Sequence, residues 1–314
     1  MDIKMKLLIF GIDLILPLIV GYCCQYQKKF NDQFFNKMIL NNILVVYPAL
    51  SFLCFWILPL NFDLIWLPVM GLAMGLIPGL VAYFVAEKKF ADDLDRGSYV
   101  MSAVLSNLGT LGGLCVFLLY GERGYGYQQL VVLFQYILMF MFCYPLAQYY
   151  YQRANSEGAI TKISVKQVLF SRNQLAVVGI FCGVALQLAG IPRPHALDGM
   201  AEFFVHFGAW TALIPVGYSM DFAKMKGYYY QLKELIAIKF IVTPVAIYGL
   251  SHLIMTDRVM LNSILILAST PTAVNAVITS RIYDLNINIA VAAFIVTTLI
   301  FLTIIYPSLF IMLQ

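Results

Sequence analysis

Charge is scarce in this chain. Asp, Glu, Lys and Arg make up 11% of its 314 residues, and only three histidines are present. Hydrophobic residues reach 61% and the mean hydropathy is +0.83, which leaves too little polar surface to cover an apolar interior in water. A soluble globular protein is thereby excluded. Long polar stretches are equally rare: the longest, residues 153–172, is too short to bury a core of its own. No Gly-x-x-x-x-Gly-Lys-Ser/Thr loop occurs, so the chain has no such motif for direct coupling to ATP. Cysteine is sparse too, and Cys23, Cys24, Cys54, Cys115, Cys143 and Cys182 lie inside apolar runs without metal-ligand spacing, as packing residues do.

What is abundant is uninterrupted apolar sequence. Runs free of Asp, Glu, Lys and Arg cover 38–62, 64–86, 97–121, 124–152, 173–192, 203–220, 259–280 and 285–314. Two further runs, near 7–27 and 232–253, carry one charge each, Asp13 and Lys239. A membrane-spanning helix needs about 20 such residues. The chain therefore reads as an all-α membrane protein of ten transmembrane helices. Lys4 and Lys6 precede the first run as in a secretory signal, but Asp13 interrupts it and no small-x-small cleavage site follows. Loops after the odd-numbered spans hold fourteen Lys and Arg and the opposite side five, which places both termini outside the cytoplasm of a bacterial inner membrane. The net charge of +4 is then an orientation signal and implies no nucleic-acid partner.

Two runs contain residues that a continuous helix avoids. Span 4 carries Ser106-Asn107-Leu108-Gly109-Thr110-Leu111-Gly112-Gly113, and span 9 carries Ser269-Thr270-Pro271-Thr272-Ala273-Val274-Asn275. Broken backbone at bilayer depth is tolerated only where protein or a watery cavity encloses it, and a pair at corresponding positions of two halves points to a transport site. A shift of 162 residues brings Gly21 onto Gly183, Gln25 onto Gln187, Gly109 onto Pro271 and Tyr144-Pro145 onto Tyr306-Pro307. Five spans per half is an odd number, so residues 1–152 and 173–314 form an inverted repeat joined by a cytoplasmic linker, 153–172.

In that arrangement the second half of each broken helix presents its N-terminus at mid-membrane, where unpaired N–H groups and the helix dipole favour an anion or carboxylate. Asn107 and Asn275 add amides, Thr110, Thr270 and Thr272 add hydroxyls, and Gly109 and Pro271 supply the breaks. The alternative is that these groups only knit helices together. Lys239 either snorkels to the interface or acts as a counter-charge or fixed internal cation. Asp13 is a proton or cation ligand, the partner of a neighbouring helix, or a residue facing water. Glu202, Asp221 and Glu234 sit at span ends, and His206 and His252 read as interfacial hydrogen-bonding residues. Asp92-Asp93-x-Asp95 has an Asp-rich look, but it lies in a short solvated loop, which argues against an intramembrane transferase.

These residues resemble the auxin efflux carrier family, which includes bacterial malate and malonate permeases. The resemblance rests on Asn107-x-Gly109-x-x-Gly112 followed by Tyr120-Gly121, and on Pro271-x-x-x-Asn275 followed by Arg281-x-Tyr283-Asp284. It implies two five-helix inverted repeats with crossed, broken helices 4 and 9. It also implies a scaffold of spans 1, 2, 6 and 7, a mobile transport domain of spans 3–5 and 8–10, and substrate contacts from Asn107 and Asn275. The chain lacks the proline often found in the span 4 motif, and span 3 holds no acid. The expectation is a permease for a small organic anion such as malate, working without a bound cofactor, with coupling to protons or Na+ left open and a homodimer as a candidate assembly. A sodium-coupled carrier resembling the bile acid symporter group, and a non-transporting sensor of the same fold, are the alternatives.

Overall fold

The computed structural model describes residues 11–27, 30–155, 175–218, 220 and 227–313. Most of the linker 153–172, together with Lys4, Lys6 and Asp221, lies outside them. The described residues are helical and form no strand. In chain order the helices are α1 (Gly11–Cys24), α2 (Gln33–Ile57), α3 (Phe62–Lys89), α4 (Asp93–Val104), α5 (Gly113–Val132), α6 (Tyr144–Asn155), α7 (Leu175–Leu188), α8 (His195–Tyr218), α9 (Tyr229–Ile254), α10 (Arg258–Ala268), α11 (Val274–Ile282) and α12 (Ile287–Leu313). Of these, α2, α3, α8, α9 and α12 are long and apolar enough to cross a membrane, and α1, α7 and α10 are shorter apolar helices. Large apolar side chains such as Leu80, Phe181, Val245 and Leu253 are exposed. Long apolar helices with exposed apolar faces are those of a multi-pass membrane protein.

Proline placement explains a recurring local feature. Five stretches, Gly11–Ile15, Asn42–Val46, Met139–Cys143, Ile238–Val242 and Phe301–Ile305, widen to five-residue turns, and each ends two residues before a proline: Pro17, Pro48, Pro145, Pro244 and Pro307. Proline donates no hydrogen bond and its ring collides with the carbonyl four residues back, so the preceding turn opens. After four of the stretches the next residue's N–H reaches back five, as Tyr144 N–H does to Met139 O and Tyr306 N–H to Phe301 O.

The charged pair Glu122-Arg123 separates two apolar runs, and the helical geometry of α5 is broken beside it at Gly121 (φ 59°, ψ −149°), a positive-φ conformation that glycine adopts without penalty. A second interruption falls at Leu133-Phe134.

The chain divides into two compact units. The first comprises Met1–Phe62, Gly109–Gln129 and Leu169–Met220. Here α1 packs along α8 and α2 along α7. Glycine makes these approaches possible: a Cβ on Gly21 would lie 2.0 Å from Ile214 O, and one on Gly183 2.6 Å from Phe52 O. Beside them Gln25 Nε2 donates to Met220 O (2.7 Å) and Gln187 Nε2 donates to Leu58 O. These contacts come in pairs, for adding 162 to residues 21, 25, 52 and 58 gives 183, 187, 214 and 220.

The second unit comprises Asp63–Leu108, Leu130–Val168 and Asp221–Gln314. Its core includes Tyr99, Met101, Leu105, Ala147, Ala276 and Ile289. Within it α4 packs against α3, α6, α11 and α12, and α9 against α10.

Candidate functional site

Both suspect stretches are interrupted. Helix α4 starts on Asp92, whose Oδ1 accepts the Leu94 N–H (3.1 Å), and ends at Val104, after which Leu105 turns extended (φ −87°, ψ 100°). Helix α10 starts on Asp257, which accepts the Met260 N–H (2.8 Å), and ends at Ala268. Pro271 follows three residues later, and the residue before a proline is pushed out of helical geometry. The two extended pieces then pair: Ser106 and Thr272 form a lone antiparallel bridge, Asn107 N–H donates to Pro271 O (2.8 Å), and Ala273 N–H donates to Leu105 O (2.8 Å). Each break thus satisfies backbone groups freed by the other, as buried backbone requires. The two bonds are themselves related: a shift of 166 residues carries 105 onto 271 and 107 onto 273, converting one bond into the other.

Side chains complete the crossing. Thr272 Oγ1 donates to Ser102 O (2.8 Å), and Thr272 N–H donates to Thr297 Oγ1 (3.0 Å). Thr270 Oγ1 donates to Leu267 O (2.7 Å) and Gln135 Nε2 donates to Ser106 O (3.1 Å). Thr270 and Thr272 are therefore committed to backbone carbonyls, and only their remaining lone pairs are open to a ligand. Asn107 is buried. Asn275 lies half-buried in the first turn of α11, whose N-cap residue Ala273 supplies no side-chain cap. First-turn N–H groups have no partner within their own helix, so the start of α11 combines donors, partial positive charge and an amide.

Gly109 and Thr110 belong to the other unit. There they line a small pocket with Tyr47, Leu50, Leu114, Tyr125 and Gly208. The Tyr47 hydroxyl is hydrogen-bonded to Thr110, and Tyr125 to Gln129. Gln129 in turn accepts from Ser51 Oγ (3.1 Å) and donates to Gln128 Oε1 (3.0 Å). Tyr47, Ser51, Tyr125, Gln128 and Gln129 were not singled out from sequence. A signal for the last two was available, since adjacent glutamines inside an apolar run need hydrogen-bonding partners in lipid.

The two charged candidates differ. Asp13 is buried in the first unit, where its Oδ1 accepts from Trp210 Nε1 (3.1 Å) and its Oδ2 meets His206 Nδ1. It is the partner of a neighbouring helix, α8. Lys239 is fully buried and does not snorkel; its Nζ donates to Ser106 Oγ (2.6 Å), at the crossing itself.

The remaining acids are engaged at helix ends. Asp93 pairs with Arg96 (2.6 Å) and Arg153 (3.0 Å), Asp95 accepts from Asn286 Nδ2 (2.7 Å), and Glu234 pairs with Lys89. Hydrogen bonding to Glu87 holds the Arg153 guanidinium above its ordinary value. His252 packs edge-on against Tyr248.

Residues 11–307 match the family described as membrane transport protein. No curated protein matches the chain.

Proposed function

The chain belongs to the auxin efflux carrier-like family of membrane transport proteins, and from that premise we propose that it is a secondary permease for a small organic anion, a carboxylate or dicarboxylate such as malate. The observation that carries the reading is the crossing. Two helices stop, exchange one backbone bond in each direction and restart, with buried Asn107 on one piece and Asn275 in the first turn of α11. A carboxylate at that turn would accept from first-turn N–H groups and the Asn275 amide and would meet the positive end of the dipole. A neutral solute would gain less there.

The reading includes ten spans arranged as two inverted repeats. Its support is the set of paired contacts at one offset in the first unit, Gly21 with Gly183 and Gln25 with Gln187, and the two-fold pattern of the bridge in the second. Spans 1, 2, 6 and 7 act as scaffold, and spans 3–5 with 8–10 carry the site alternately to each side of a bacterial cytoplasmic membrane. A carrier of this kind needs no catalytic group.

The test is a thermal-shift screen of purified protein against dicarboxylates, monocarboxylates and aromatic acids. A small carboxylate should stabilise the wild type and lose its effect in Asn107→Ala and Asn275→Ala, both of which still fold. Full ligand response in both variants would remove the crossing as the binding site.

A further inference from the structure

Lys239 presents an electrostatic problem that the transport reading leaves unanswered. Its Nζ is buried on α9, and the one hydrogen-bond acceptor found for it among the described residues is the Ser106 hydroxyl at 2.6 Å. No carboxylate pairs with it among those residues. A lone buried cation is costly unless something nearby carries negative potential. The backbone supplies that potential. Ser106 lies two residues beyond the last residue of α4, and its bridge partner Thr272 lies four beyond the last residue of α10. Two helices of twelve and eleven residues thus end at the crossing, and each helix C-terminus bears roughly half a negative charge from the aligned peptide dipoles. Ser102 O and Leu105 O are occupied by Thr272 and Ala273, and Leu265 O, Ile266 O and Leu267 O by Ser269 and Thr270, but neutral donors do not cancel the summed field.

We propose that Lys239 is a built-in cation at the crossing, filling the place where a monovalent metal ion would otherwise balance the converging ends of α4 and α10, so that this chain binds its substrate without sodium. The second half alone provides it. Positions 73 and 77, which shifts of 166 and 162 residues relate to position 239, are Ala73 and Ile77 on α3. The inference rests on the crossing as the functional site, yet its test needs no substrate and so stands apart from substrate identity.

The experiment is thermal unfolding of the purified protein in sodium, potassium or choline chloride at equal ionic strength, for wild type, Lys239→Ala and Lys239→Met. Wild type should give one Tm in all three salts. Lys239→Ala should lose about 5 °C or more in choline and regain most of it with millimolar methylammonium or ethylammonium, or with sodium, entering the vacated space. Lys239→Met, which refills that space with an uncharged chain, should stay destabilised and unresponsive to added cations. A saturable sodium-dependent rise in the wild-type Tm would overturn the proposal. So would a Lys239→Met protein as stable as wild type in choline. Should Lys239→Ala fail to fold in every salt, the Lys239→Met and wild-type measurements decide alone.

Discussion

Replacing Gly21 by alanine tests the close packing of the first unit most severely. The added Cβ would stand 2.0 Å from Ile214 O and 2.9 Å from Tyr218 N, both backbone atoms that cannot rotate away. Restoring an ordinary contact requires α1 and α8 to part by about 1 Å or more, well beyond the slack of a close-packed interface. Overpacking of this kind costs about 1–3 kcal/mol. The same movement draws Gln25 Nε2 away from Tyr218 O (2.6 Å) and Met220 O (2.7 Å), at about 0.5–1.5 kcal/mol for each bond. Together the loss is about 2–6 kcal/mol, which corresponds to a fall in Tm of roughly 3–10 °C. Gly183→Ala, facing Phe52 O at 2.6 Å, should fall in the same direction by less. The control is Gly249→Ala: that glycine lies in α9 with nothing within 4 Å of its would-be Cβ, so alanine should be neutral or stabilise by up to about 1 kcal/mol. Tryptophan fluorescence during heating in detergent, with size exclusion to confirm a monodisperse sample, reads all three. A Gly21→Ala protein no less stable than Gly249→Ala would refute the packing described for α1 and α8.

Thr297→Val leaves the buried Thr272 N–H without its acceptor and should cost about 1–3 kcal/mol, while Thr297→Ser keeps the oxygen and restores stability; equal Tm values for Val and Ser would contradict the contact. Asp13→Ala strips the acceptor from Trp210 Nε1 and the partner from His206. It should lower stability by about 1–3 kcal/mol and shift the Trp210 emission, measured in a background with Trp56 and Trp66 replaced by phenylalanine. Pro145→Ala and Pro307→Ala should let the widened turns Met139–Cys143 and Phe301–Ile305 close to ordinary helix, seen as new amide protection in hydrogen exchange. Unchanged protection would show that proline does not set those turns.

Much of this was legible because lipid punishes exceptions. Glycine, proline and asparagine inside charge-free runs have few structural uses, so Ser106–Gly113 and Ser269–Asn275 announced the breaks. The landmarks Gly21, Gly183, Gln25 and Gln187 likewise stood out at one spacing, although only the structure gives each its partner carbonyl. Other features were out of reach. Whether Lys239 snorkels or turns inward depends on which face of α9 it occupies, and period alone cannot settle that in a helix that is apolar all round. The hydroxyls of Thr270 and Thr272 read as ligand groups, yet their protons are taken up locally by Leu267 O and Ser102 O. Glu122-Arg123 marked a boundary by charge, but that the chain turns there on the single positive-φ residue Gly121, without a loop, was not readable from composition.

Counterflow in proteoliposomes tests the central claim most directly. Vesicles loaded with an unlabelled dicarboxylate are diluted into a trace of the same compound carrying label, and internal label is followed with time. Transient accumulation is predicted for the wild type in sodium-free medium, and its absence is predicted for inserted, folded Asn275→Ala protein. Undiminished accumulation in that variant, or none in wild-type vesicles with any small carboxylate, would contradict an organic-anion permease working at the crossing.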